Sequence, residues 1–167
     1  MQNVQNALNL LQHTLEHTRL SYWMVHAVYL WPICESLHFI GLTLLIGTVG
    51  LFDLRLLGMA KGLSPVAMHR LVGWRIFGFC LNVITGTMFF VGIPYQYIYN
   101  GAFQAKMLCL LLLGINVLVF YRTGYAKVEA LGPDDAAPFQ VKIFAGVSLA
   151  LWVAVICFGR AEAFFKP

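Results

Sequence analysis

The sequence predicts an all-α fold: an integral membrane four-helix bundle with an N-terminal amphipathic helix. Its 167 residues are 60% hydrophobic and only 11% charged, and the mean hydropathy is +0.76. Soluble domains carry roughly a quarter charged residues, so this composition favours lipid. A helix needs about 20 apolar residues to cross a bilayer core. The segments 32–57, 70–93, 103–122 and 140–163 meet that length, and we expect one membrane domain over 1–167.

The helical spacing of the apolar residues in 2–22 predicts a separate amphipathic helix that lies on the membrane surface or against the bundle. Its polar side carries His13 and His17, whose spacing can present two imidazoles to a metal ion such as copper. Without a third ligand, such a pair is more often simply polar surface. The apolar side consists of Val4, Leu8, Leu11, Leu15 and Tyr22.

The distribution of basic residues predicts the orientation in the membrane. Positively charged loops tend to stay in the cytoplasm. Seven of the 11 Lys and Arg residues flank the first and third loops, and four lie on the other side. We therefore expect a multi-pass protein of the bacterial inner membrane with both termini in the periplasm, and no nucleic-acid partner. The seven are Arg55, Lys61, Arg70, Arg75, Arg122, Lys127 and Lys142, and the four are Arg19, Lys106, Arg160 and Lys166.

Glu35 and His38 lie one helical turn apart near the start of the first span. Ionisable side chains are costly to place in lipid, so such a pair marks a functional site by default. Positions i and i+3 share a helix face, and we expect both side chains to point into the bundle. Lys106 and Arg160 should lie at the same depth, where either could pair with Glu35. This group is either a structural network or the surroundings of an anionic or redox-active ligand.

Haem b fits the second interpretation. Imidazole is a standard axial ligand of haem iron, and cationic side chains suit the haem propionates. His38 would be the metal ligand, with Lys106 and Arg160 near the propionates. Gly41 and Gly47 would leave room for the flat macrocycle. The second axial position stays open between His26, Met88, Met107 and no protein ligand at all.

Two other features have a structural and a functional interpretation. Asp53, near the end of the first span, could pair with Arg75 as a topology anchor, or could belong to a proton or quinone site on the inner side. The four cysteines fall one per span without a CxxC motif, which argues against covalent haem attachment and against a structural zinc site.

The pattern E-x-L-H-x-x-G followed by D-L-R-L-L-G, over 35–58, resembles an uncharacterised bacterial family of small four-helix membrane proteins. More distantly, the chain is similar to the HemJ-type protoporphyrinogen oxidases and the CopD-type copper-resistance membrane domains. The HemJ-type resemblance rests on His38, Gly41, Arg55-Leu56 and Lys106, and it implies haem b bound by His38. Glu35 stands where the HemJ-type pattern has a lysine, so porphyrinogen oxidation does not follow from the resemblance.

The leading hypothesis is a small membrane redox protein that binds haem b and transfers electrons between a quinone or periplasmic donor and a partner. His38 would bind the iron, and Glu35 would be its proton-handling neighbour. The main alternative is a non-enzymatic accessory or scaffold subunit of a larger membrane complex. A third is a small metal-handling or transport protein. Lipid, other membrane subunits or further copies of the chain are the expected partners, and whether the protein is an enzyme stays open.

Overall fold

A computed structural model describes residues 2–60, 62–63, 68–129, 131–132 and 135–165, and the regular elements in this part of the chain are helical. The four longest helices are each long and apolar enough to cross a membrane. This confirms the all-α membrane bundle. Both ends of each predicted span lie within two residues of the ends of the corresponding helix. The helices are α1 Gln2–Glu16, α2 Arg19–His26, α3 Leu30–Leu57, α4 Val72–Gly92, α5 Pro94–Ile98, α6 Gly101–Thr123, α7 Tyr125–Glu129 and α8 Phe139–Ala161.

The prediction of a single helix over 2–22 is wrong, because the chain forms two helices there. Thr18 ends one and caps the next: its hydroxyl donates to the Leu15 carbonyl at 2.8 Å and accepts from the Ser21 N–H at 3.2 Å. A Thr side chain in this position satisfies a backbone N–H that a new helix leaves unpaired. Leu11, predicted to lie on the apolar side of that helix, is 44% exposed. The side chain of Val4 lies outside the described residues, as do Lys61 and Lys166.

The four spanning helices form two close pairs, α3 with α4 and α6 with α8, which are joined mainly through α3 and α8. Along the described residues, α4 and α6 do not pack closely on each other. They meet where the rings of Phe90 and Phe103 stack, with centroids 5.8 Å apart. This contact lies at the N-terminal end of the bundle, where α3 and α6 begin and α4 and α8 end. We call the opposite end of the bundle, where α3 and α6 end, the Arg55 end.

The helices α3 and α4 cross closely at Gly41 and Gly78. A Cβ atom on Gly78 would lie 2.8 Å from the Gly41 carbonyl oxygen, and one on Gly41 would lie 2.6 Å from Nδ2 of Asn82. Small residues allow membrane helices to approach backbone to backbone. The role expected for Gly41, room for a macrocycle, is therefore wrong, because α4 occupies that face. A Cβ on Gly47 would meet no described atom within 4 Å.

Arg55 joins the two loops at the opposite end of the bundle. Its side chain is buried, and its Nε donates to the Leu63 carbonyl at 2.7 Å. Its Nη2 donates to the carbonyls of Gly132, at 3.1 Å, and Asp135, at 3.3 Å. The guanidinium has five donors in a planar fork, so one side chain can hold carbonyls from two segments. Arg55 thus fixes the loop after α3 to the loop before α8.

We expect Gly78→Ala to lower the free energy of unfolding by about 1–3 kcal/mol, because the added methyl group must push the two backbones apart. The measurement is thermal unfolding in detergent, followed by circular dichroism. Gly47→Ala is the matched control, and it should be neutral or stabilise the helix by up to about 1 kcal/mol. Equal effects of the two changes would contradict a close crossing at Gly78.

We expect Arg55→Lys to destabilise the protein by about 1–3 kcal/mol, because an ammonium group at this buried position leaves some of these carbonyls without a donor. Limited proteolysis should then cut faster within 58–63 and 131–137. Arg122→Lys, an exposed arginine at the same end of the bundle, is the control. Unchanged cleavage in Arg55→Lys would show that Arg55 does not hold the loops.

Candidate functional site

His38 is half-buried on α3 and faces α4. Its Nδ1 lies 2.7 Å from the Thr85 hydroxyl oxygen, and that hydroxyl lies 2.7 Å from the Leu81 carbonyl of its own helix. The Thr85 hydroxyl has one proton, which it donates to Leu81, so it accepts from His38. We therefore assign the proton of the neutral imidazole to Nδ1. Nε2 then carries a lone pair, and it has no hydrogen-bond partner among the described residues.

Aromatic rings and a glycine pack beside the imidazole. The Phe89 ring meets it edge to face, with centroids 5.7 Å apart, and packs in turn against Trp31. Gly86 presents no side chain toward the ring, and a Cβ there would lie 3.7 Å from Cε1 of His38. A nitrogen lone pair in such surroundings is poorly hydrated. It is therefore well suited to bind a metal or a ligand proton.

Lys106 forms an ion pair with Glu162, with Nζ and Oε1 2.7 Å apart and both side chains mostly buried. The ion pair expected for Glu35, with either Lys106 or Arg160, is therefore wrong for Lys106, and none joins Glu35 to Arg160 in the described part of the chain. The reason is the course of the chain after α8, which brings Glu162 beside the first turns of α6. Within the described residues this is the one ion pair between side chains. Lys106 is also close enough to His38 to interact with it electrostatically.

Asn100 fixes the position of Glu162. Its side-chain oxygen caps α6 by accepting from the N–H groups of Ala102 and Phe103. Its amide nitrogen donates to the carbonyls of Glu162, at 3.0 Å, and Phe165, at 2.6 Å. One buried side chain thus ties the start of α6 to the segment that follows α8. The Lys106–Glu162 pair is therefore positioned by the backbone.

Glu35 is exposed on α3 and does not point into the bundle as expected. It does lie near Tyr97, which is half-buried on α5. Burial raises the pKa of the Tyr97 phenol to about 12, and the nearby carboxylates of Glu162 and Glu35 act in the same direction. Tyr97 is therefore a neutral hydroxyl at any physiological pH. His38, Glu35 and Lys106 thus belong to one end of the bundle, although they form no direct contacts with each other in the described part.

Arg160 and His26 do not join this group. Arg160 is exposed, and its guanidinium carbon lies 5.9 Å from the centre of the Phe164 ring. His26 is exposed, stacks on Tyr22 with centroids 4.2 Å apart, and places Nδ1 2.8 Å from the Tyr22 carbonyl. The position of His26 therefore does not support the expectation that it is a second axial ligand.

The two methionines considered as axial ligands occupy different environments. The Met88 sulfur accepts from the Cys34 thiol at 3.8 Å. Met107 is 49% exposed on α6. In the described part of the chain, no group of three or more His, Cys, Asp or Glu side chains is placed to hold a metal ion. Within the described residues, any metal bound at His38 would therefore have fewer than three protein ligands of these types.

A second polar group lies toward the Arg55 end, inside the bundle. Asp53 is 5% exposed, and its Oδ2 has no hydrogen-bond partner in the described structure. Arg75 and Ser148 lie near the carboxyl group, but no ion pair within 4.0 Å joins Asp53 to Arg75. The Arg75 guanidinium instead lies over the Phe52 ring, 5.4 Å from its centre. The expected pairing is thus an interaction at longer range.

Sequence reasoning missed Thr85, Tyr97 and Glu162 as members of the site. Glu162 had a visible signal, because it is a carboxylate two residues after Arg160 and therefore close to the level of Lys106. Thr85 was visible only as one of several small polar residues in α4. Its contact with His38 depends on how α3 and α4 are aligned.

We expect Lys106→Met and Glu162→Gln to be strongly non-additive, because each leaves the other charge without its partner. A double-mutant cycle on unfolding in detergent should give a coupling energy of about 0.5–3 kcal/mol. Lys127 and Gln140, whose side chains are exposed and 2.6 Å apart, are the control pair, with a smaller expected coupling. Additive effects of the Lys106 and Glu162 changes would show that the ion pair does not form in solution.

Residues 17–165 match a family of unknown function, DUF6644. No curated protein and no solved structure matches the chain. The match is to an uncharacterised family, as the pattern of the first span predicts, and it names neither the HemJ-type nor the CopD-type proteins. Because the match covers most of the sequence, the chain belongs to the DUF6644 family.

Proposed function

We propose that the protein is a membrane redox protein that binds haem b through Nε2 of His38. The observation that carries this proposal is the hydrogen bond from Nδ1 of His38 to Thr85. Histidines that bind metals almost always donate their other ring N–H to a fixed acceptor, which sets the tautomer and the orientation of the ring. Thr85 supplies that acceptor, and it does so from a neighbouring helix.

We expect His38 to be the protein ligand of the haem iron. His26 is stacked on Tyr22 and hydrogen-bonded there, so we do not expect it to supply a second imidazole. Because α4 covers Gly41, we do not expect Gly41 to contact the haem. Haem b, when bound, supplies one-electron exchange between ferric and ferrous iron. The chain itself holds the imidazole through Thr85 and packs Phe89 against its ring.

Lys106 is the cation best placed for a propionate, because it lies near His38. Its ammonium group is held by the ion pair with Glu162. Glu162 would then share the ammonium group with the propionate. Arg160 would have to turn away from Phe164 to take part. We place the electron donor, a quinone or a periplasmic protein, at the N-terminal end of the bundle, and the protein in the bacterial inner membrane with that end outward.

An accessory subunit of a larger membrane complex is the second candidate. The observation in its favour is the surface of α6, whose most apolar stretch is only 6% buried, the lowest share among the four spans. A second copy of the chain or another membrane protein could pack on this face in place of lipid. This candidate predicts a colourless protein that stays bound to other subunits when it is purified.

The test is the dithionite-reduced minus oxidised absorption spectrum of protein expressed with ample haem and purified in detergent. We expect a haem spectrum in the wild type that is lost in His38→Ala. Thr85→Val should weaken haem binding by about 10- to 100-fold, because the imidazole loses its fixed acceptor. Ser36→Ala, on an exposed face of the same helix, is the matched control and should keep the full spectrum.

A folded wild-type protein without haem would overturn the proposal and favour the accessory subunit. Full haem occupancy in His38→Ala would overturn it as well, because the iron would then have another ligand. Circular dichroism of each variant shows whether it is folded. Loss of haem in Ser36→Ala would show that the effect is not specific to the imidazole.

A further inference from the structure

His13 and His17 bring two ring nitrogens together on the surface of α1 and the turn after it. Their Nε2 atoms lie 3.2 Å apart, and the ring centroids are 4.4 Å apart. Both side chains are exposed. Without a metal, the two nitrogens can share one proton, with one ring donating and the other accepting. To bind a metal ion through both Nε2 lone pairs, the donating ring would carry its proton on Nδ1 in place of Nε2.

The separation of the two nitrogens suits one metal ion. Imidazole nitrogen binds zinc at about 2.0–2.1 Å. Two such bonds that meet at angles between a right angle and the tetrahedral value place the nitrogens about 2.9–3.4 Å apart. The observed 3.2 Å lies inside this interval, with both Nε2 atoms already turned toward each other. To bind one ion, the rings would turn so that both lone pairs point at the ion and not at each other.

In the described part of the chain, no group of three His, Cys, Asp or Glu is placed to hold a metal ion, so water or another molecule would fill the remaining positions of such an ion. The Glu16 carboxylate accepts from the Gln12 amide at 2.9 Å. Asn9 accepts from the Tyr99 hydroxyl at 2.8 Å, which also fastens α1 to the segment after α5. The histidine pair is therefore a two-nitrogen site held at the N-terminal end of the bundle.

We propose that His13 and His17 bind a divalent transition-metal ion, with Cu²⁺ preferred over Ni²⁺ and Zn²⁺. Imidazole suits all three ions, and the general affinity order places Cu²⁺ highest. Two nitrogens at neighbouring positions also match the square-planar arrangement that Cu²⁺ favours. This site is separate from His38 and does not depend on the proposed function. Its chemistry is the binding of an exchangeable metal ion at the membrane surface.

The experiment is the titration of the full-length protein, stripped of metal by a chelator, with Cu²⁺ in detergent. Calorimetry gives the affinity, and electron paramagnetic resonance gives the number of nitrogen ligands. We expect one tight site with two imidazole nitrogens. His13→Ala and His17→Ala should each weaken it on the order of a hundredfold, because the second ring acts at high effective concentration. Zn²⁺ and Ni²⁺ should bind more weakly than Cu²⁺ to the wild type.

Two matched variants separate the pair from other sources of binding. Thr14→Ala changes an exposed neighbour without touching a ring and should bind as the wild type does. His17→Ala combined with Thr14→His keeps the number of histidines but places them side by side, on different faces. It should bind as weakly as the single variants. Wild-type affinity in either single variant, or only one nitrogen ligand in the wild type, would overturn the proposal.

Discussion

The close crossing of α3 and α4 at Gly41 and Gly78 is the constraint on which the candidate site depends. A Cβ on either glycine would come within 3.0 Å of atoms on the facing helix, so the two backbones touch only because both side chains are absent. His38 lies about one turn from this contact along α3, and Thr85 lies two turns from it along α4. Their hydrogen bond of 2.7 Å is possible only while the helices stay this close.

That hydrogen bond gives the imidazole a definite chemistry. The Thr85 hydroxyl donates its proton to the Leu81 carbonyl, which is a common local bond for Thr within a helix. As an acceptor it fixes Nδ1 of His38 as the protonated nitrogen. The apolar rings of Phe89 and Trp31 keep that end of the helix pair dry, so Nε2 competes with little water for a ligand. The orientation of a single side chain thus follows from the packing of two backbones.

The spans were predictable to within two residues because lipid imposes length and apolarity on each helix separately. The partners of the charged residues were not, because they depend on how helices and loops meet. Glu35 and His38 share a face by spacing, yet Glu35 lies outside the bundle and His38 is half-buried. Lys106 pairs with Glu162, which lies beyond the last turn of α8, where periodicity gives no information. Thr18 divides the first helix because a side-chain cap outweighs the apolar pattern.

The measurement that tests this account most directly is nitrogen NMR of the full-length protein labelled with ¹⁵N-histidine. The His38 signals are assigned by their loss in His38→Ala. We predict a neutral ring with the proton on Nδ1 and a lone pair on Nε2, at neutral pH and without added ligand. A proton on Nε2, or rapid exchange between the two nitrogens, would contradict it, because Thr85 would then not fix the imidazole and the site would lose its prepared ligand atom.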